Sequence, residues 1–344
     1  MSQTQNFLAL IAALWQLTLL QLRGEYWIQL RSTELWGKGI APRQLKRCRH
    51  YFRGALFLGA VFAAQRGQAL RSREMRQFAR LAALAALFDD KAETLNYLTT
   101  HNVKTAAKVH ETLSPSISTI TLPASLFAFA RQTDPDGTLL FLWKNISPPA
   151  ETAALFKEKL LKVFDLETQA MLLDQRLISV EALIALANEK GGNSALLFRL
   201  LMQPPPSPGE SHTALALGAL VQSSDDLFDL WHDAQKQIIT PARYWAEANR
   251  LDLAERHFKE RWKHLAQAIN AAPAASARAR RTALILVGLL TMLTRFCLHH
   301  YGRLAQKHGT LPWHDRRTMV LDMARWSTRL RAVMFACKNR FFLE

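Results

Sequence analysis

A half-buried β-strand needs apolar and polar residues in alternation, with Val, Ile or Thr favoured, and this chain of 344 residues has almost no such run. Ser116 to Leu122 is the single candidate, and Pro115 and Pro123 bound it tightly. Ala, Leu, Gln, Arg and Glu dominate instead, residues that lose little freedom in a helix. Only 14 glycines interrupt them. The pattern predicts an all-α protein. Apolar residues make up 49% of the chain, enough for a sizeable core.

Helices are predicted at about 5–33, 43–66, 72–90, 92–111, 122–132, 150–174, 179–189, 193–202, 211–238, 241–271, 278–307 and 315–341. Gly37-Lys38-Gly39 with Pro42 separates the first pair, and Asp134-Pro135-Asp136-Gly137 reads as a turn. Gln203 to Gly209 carries four prolines and reads as a rigid external loop. Thr240-Pro241 places Thr at an N-cap and Pro in the first helical turn. The connections are short and no segment resembles an interdomain linker, so residues 1–344 are expected to form one domain, a bundle of antiparallel helices.

The net charge of +16 is unevenly placed. Residues 1–80 carry 13 Lys/Arg against 3 acids, and residues 250–344 carry 18 against 6. Residues 81–249 carry 13 against 19, a net −6. A basic balance suits an anionic partner such as acidic lipid or a diphosphate. No nucleic-acid partner is expected, because no binding module and no interleaving of basic and stacking aromatic residues is evident. Arg278, Arg280 and Arg281 form the densest basic knot, and read as a solvated loop before a helix.

Two acidic clusters lie in that acidic middle, each behind an apolar helical run. Leu217 to Leu230 ends in Asp225, Asp226 and Asp229, and Asp233 follows. Residues four apart share a helix face, so Asp225, Asp229 and Asp233 stack along one stripe. Like charges in a row repel, and a bound cation is a simple way to relieve them. Upstream, Leu84 to Leu87 leads through Phe88 into Asp89, Asp90 and Glu93. Each cluster also has an ordinary reading. Asp90 and Glu93 fit a capping box at a helix start, and Asp225 to Asp233 could be a solvated helix face.

Taken together, the two segments resemble the metal-binding motifs of the class I isoprenoid synthases, which include the trans-prenyl diphosphate synthases, the squalene/phytoene synthases and the class I terpene cyclases. Gly218, Gln222, Asp225, Asp226 and Asp229 match a G, a Q and DDxxD, while Asp89, Asp90 and Glu93 form a looser DDxxE. The resemblance implies a helical bundle around a central apolar cavity, with Mg²⁺ as cofactor and an allylic isoprenoid diphosphate as substrate. Asp89, Asp90, Glu93, Asp225, Asp226, Asp229 and Asp233 would be the metal ligands, with Asp89 and Asp225 foremost in catalysis. The ions would grip the diphosphate and assist C–O ionisation, and the cavity would shelter the cation from water. Lys190, Lys236 and Arg176 resemble diphosphate-binding residues of the family. Ala85 and Phe88 would line the cavity, and the small residues Ala82, Ala83, Ala85 and Ala86 resemble members that admit longer chains.

The chain also departs from the chain-elongating members. Thr94-Leu95-Asn96-Tyr97-Leu98 follows the first motif where they carry an Arg pair. Gly37 to Arg43 is a distorted echo of their N-terminal GKR segment. These losses favour a terpene cyclase or an atypical prenyltransferase over condensation with isopentenyl diphosphate, whereas the DDxxD-like second motif pulls the other way. Two further readings stay open: a non-catalytic relative that binds isoprenoid diphosphates, and a basic helical protein that binds anionic lipid.

Cys48, Cys297 and Cys337 offer neither a disulfide framework nor a CxxC pair, which fits a reducing cytoplasm. His299-His300 has no Cys or acid at metal-ligand spacing. Phe7 to Leu22 is apolar but broken by Gln16 and Gln21, and Thr282 to Leu293 is short and closed by Arg295. Both read as buried helices rather than membrane spans. Peripheral membrane contact through the N-terminal helix and homodimerisation are the partner expectations that remain.

Overall fold

The computed structural model describes residues 3–37, 40–101, 137–172, 178–322, 327–328, 331–332 and 334–335. Among them the regular elements are all helical and no strand occurs. Ser116 to Leu122 and Arg176 lie outside the described residues, as do Lys38 and Gly39.

Twelve α-helices are described: α1 Gln3–Trp36, α2 Pro42–Arg66, α3 Ser72–His101, α4 Thr138–Asn145, α5 Ala153–Leu172, α6 Val180–Leu200, α7 Pro208–Phe228, α8 Leu230–Lys236, α9 Pro241–Glu247, α10 Leu251–Ala271, α11 Ala277–His308 and α12 Arg316–Met319. A single 3-10 turn, Ala150–Thr152, precedes α5. Thr240 caps α9 by accepting from the Arg243 amide, as the Thr-Pro pair predicts. Ser207 caps α7 in a capping box with Glu210.

Several boundaries depart from the sequence pattern. The expected break between residues 90 and 92 is absent, and α3 runs through it to His101. Asp90 is therefore interior to a helix, not its cap, because neither Gly nor Pro interrupts Lys91-Ala92-Glu93-Thr94. The expected ends at residues 189 and 193 merge into α6, which passes straight through Gly191-Gly192. Expected helices over 211–238 and 241–271 are each divided, at Asp229 and near Asn249, whose φ is 56°. The helix expected over 315–341 is interrupted: Arg316–Met319 is helical, the chain extends at Val320, and the described residues 327–328, 331–332 and 334–335 are helical again. Helix α4 has no counterpart in the prediction.

The core joins most helices. Trp36 is buried and its indole N–H donates to the Ala79 carbonyl, tying α1 to α3. Helices α6 and α7 pack most extensively of all, and Gly191 and Gly218 explain how. A Cβ on Gly218 would stand 2.0 Å from the Gly191 carbonyl oxygen, and one on Gly191 would stand 2.5 Å from the Gly218 carbonyl oxygen. The two glycines let the backbones touch, so here glycine marks close approach rather than a helix end.

Helix α11 is long and apolar enough to cross a membrane, with a mean hydropathy of 1.7 over its most apolar window, of which 56% is buried against the rest of the protein. The sequence reading of Thr282 to Leu293 as too short did not count the full helix around it.

Candidate functional site

Helices α2 and α3 form one hairpin and α6 and α7 another, and both face a cavity of about 820 Å³. Asp89 and Asp90 reach it from α3, Lys190 from α6, and Asp225 and Asp226 from α7. Asp229, at the junction of α7 and α8, and Asp233 and Lys236 on α8 complete that polar end. Deeper along the same helices the walls become apolar: Leu58, Leu81, Ala82, Leu197 and Phe198.

Of the sequence-predicted residues, the cavity brings together Asp89, Asp90, Asp225, Asp226, Asp229, Asp233, Lys190, Lys236, Ala85 and Phe88. Glu93 lies on α3, but its side chain and the whole of Arg176 are outside the described residues. Ala82 and Ala85 line the cavity whereas Ala83 and Ala86 are buried in the core, so only half of the Ala series borders the space. The ring of Phe88 packs 4.9 Å from that of Phe164 on α5, forming one wall.

The break at Asp229 preserves the carboxylate stripe. The Asp229 amide donates to the Asp225 carbonyl at 2.8 Å and the Asp233 amide to the Asp229 carbonyl at 2.8 Å, so the four-residue spacing continues across the junction. Gln222 donates to Asp226 at 2.7 Å and fixes that carboxylate, which is buried. Asp225 lines the cavity and remains open to solvent there, with surrounding protein crowding its carboxyl. Burial, then the charges of Asp229 and Asp226, push the Asp225 carboxyl up to about 7. Burial raises Asp226 to about 6 against the opposing pull of Gln222 and Lys190. Burial and the neighbouring aspartates raise Asp233 to about 8. This end of the cavity thus carries more negative charge than its own cations relieve.

Side chains that the sequence reading did not single out complete the polar end. Arg47 on α2 donates to Asp89 and pairs with Asp90 at 3.0 Å. Tyr51, one turn on, donates its hydroxyl to Asp89 at 2.7 Å. Burial, followed by the Asp89 charge, pushes the Tyr51 phenol well above its ordinary value. Lys190 is paired with Glu167 of α5 at 3.0 Å. Burial opposes its charge, but Glu167, Asp89 and Asp226 win and raise its pKa. Arg43, Lys46 and His50 also border the cavity. With Arg47 they form a basic face on α2, and the spacing Arg43, Lys46/Arg47, His50 was the available sequence signal.

The two aspartate patches therefore stand in different states. Arg47 and Tyr51 cover Asp89, while Asp225, Asp229 and Asp233 face one another. Among the described residues no group of three or more His, Cys, Asp or Glu is poised to hold a metal ion by itself. No protein-family model matches the chain, and no curated protein matches it.

Proposed function

We propose that the cavity binds an allylic isoprenoid diphosphate with Mg²⁺ and promotes loss of the diphosphate, as a terpene cyclase or an atypical prenyltransferase does. In this reading the chain is one isoprenoid synthase-like domain whose antiparallel helices surround the cavity, working in the cytoplasm. The observation that carries it is the union of both acidic segments with Lys190 at one end of a cavity whose other end is apolar. That division matches a ligand with a charged head and a hydrocarbon tail.

The donor set suits a hard divalent cation. The carboxylates offer oxygen only, and those on α7 and α8 repel one another, as the raised Asp225 and Asp233 values express. Mg²⁺ commonly binds through one or two carboxylates together with substrate phosphate oxygens. Asp225, Asp229 and Asp233 would hold the ion on one side and Asp89 and Asp90 on the other. When bound, the ion neutralises the diphosphate leaving group. Lys190 orients the diphosphate from α6, fixed in place by Glu167, and Arg47 is within reach from α2. Phe88, Phe164 and Phe198 keep water from the hydrocarbon chain.

Incubation with Mg²⁺ and geranyl, farnesyl or geranylgeranyl diphosphate, alone and with isopentenyl diphosphate, tests the reading. Diphosphate release with a cyclised, hydrolysed or condensed product is expected. Release must vanish in Asp225→Ala/Asp229→Ala while the helical circular dichroism stays unchanged. No release from any of the substrates, or full release from the double variant, overturns the proposal.

A further inference from the structure

Helix α1 carries an apolar stripe that the interior does not use. Its inner face is packed: Ile28, Leu35 and Trp36 are buried, and a Cβ on Gly24 would stand 2.5 Å from Leu56. On the opposite face Trp15, Leu19, Leu22, Tyr26 and Leu30 follow one another at intervals of three and four. They are 64%, 46%, 60%, 63% and 63% exposed. At 100° per residue all five fall within roughly a quarter of the circumference, over roughly 22 Å of helix. Single exposed apolar residues are ordinary, but a contiguous row marks an interaction surface.

The chemistry beside the stripe says what covers it. Arg23 is exposed at its edge and donates to Ser72 at the start of α3, which brings it beside the exposed Arg71 and Arg73. Trp27, on the same edge, lies between the guanidinium groups of Arg31 and Arg76, at 5.8 and 5.7 Å. The acids nearby are already paired, Glu25 with Arg53 at 2.6 Å and Glu34 with Arg31 at 3.5 Å. A row of Trp, Leu and Tyr flanked by arginines fits a surface that is apolar below and anionic above. Two copies of this face brought together would set their arginines against each other, which disfavours self-pairing.

We propose that α1 is an interfacial helix that lies in the plane of an anionic bilayer, with Trp15, Leu22, Tyr26 and Leu30 at the acyl boundary and Arg23, Arg71 and Arg73 on the headgroup phosphates. The proposal is independent of the chemistry in the cavity.

Flotation of the full chain with vesicles tests it. The protein floats with phosphatidylcholine/phosphatidylglycerol vesicles and far less with phosphatidylcholine alone, and high salt releases it. Trp15→Glu/Leu22→Glu/Tyr26→Glu abolishes flotation with unchanged circular dichroism, because all three side chains face solvent. Arg23→Gln/Arg73→Gln lowers affinity for the anionic vesicles by roughly thirtyfold. Leu155→Glu, exposed on α5, leaves binding unchanged. Failure of the wild type to float overturns the proposal, as does flotation of the triple variant or equal binding to neutral vesicles. A dimer in solution that the triple substitution splits, without vesicle binding by the wild type, assigns the stripe to a second copy instead. Unfolding of the triple variant transfers the test to Tyr26→Glu alone, read by the same flotation.

Discussion

The two ends of the α2–α3 and α6–α7 hairpins both gather carboxylates, and they treat them in opposite ways. At the turn end, Glu74 pairs with Arg66 at 2.5 Å and accepts the Arg71 amide at 2.8 Å and the Gln203 amide at 3.2 Å. Glu210 likewise meets Arg199 at 2.9 Å and the Ser207 amide. Burial works to raise both carboxyls, yet these hydrogen bonds outweigh it and both fall below the usual range. At the cavity end, Asp225, Asp226 and Asp233 are raised. The turn end satisfies each charge locally and thereby locks the hairpins together. The cavity end leaves repulsion in place, which is unfavourable for the fold and favourable for a cation.

The contrast predicts opposite signs for similar substitutions. Arg66→Ala strands a buried Glu74 and costs about 3–5 kcal/mol in chemical denaturation. A loss below about 1 kcal/mol would show that the turn end is not locked in this way. Gly218→Ala comes next. Its Cβ meets the Gly191 carbonyl, the helices must separate, and about 1–3 kcal/mol is lost. Unchanged stability in Gly218→Ala would mean that the helices slide past one another at no cost.

The ends should also separate by pH in protein without added metal. The raised aspartates contribute stability that is present below the ordinary carboxylate value of 3.8 and is lost as pH rises through about 7 to 8. Glu74 and Glu210, lowered in the fold, contribute stability present above 4.5 and lost as pH falls through their folded values. Thermal melts across pH should therefore peak in the mildly acidic range. Asp225→Asn should flatten the alkaline fall and gain stability, and an alkaline fall unchanged in Asp225→Asn would sink the repulsion argument. The smallest effect on stability is expected for Ala85→Phe, within about 0.5 kcal/mol because the side chain enters open cavity. Geranylgeranyl diphosphate should be excluded and geranyl diphosphate retained, as measured by release from each.

The sequence made the acidic residues legible because their spacing maps directly onto a helix face. The break at Asp229 went unforeseen, yet it did no harm, since two backbone hydrogen bonds carry the spacing across it. Gly191-Gly192 misled for a physical reason. Glycine destabilises a helix by its freedom, and only the partner helix, some 25 residues further on in sequence at Gly218, reveals that its missing side chain is the point. Arg47 and Glu167 were invisible in the same way. A charged residue on a helix names its partner only when the second helix is in place, and Asp89 lies 42 residues from Arg47. The stripe on α1 was readable only in part, because an apolar face looks the same whether it is buried or exposed.

The contact between Gly191 and Gly218 also bears on motion. Side chains that separate two helices hop between rotamers on fast timescales, and the spacing they maintain fluctuates with them. Where backbone meets backbone there is nothing to hop. Lys190 is adjacent to one glycine in sequence, and Asp225 and Asp226 lie two turns from the other, so the cationic and anionic groups hang from a common fulcrum. The contact thus fixes the spacing of the two helix backbones from which Lys190, Asp225 and Asp226 project into the cavity.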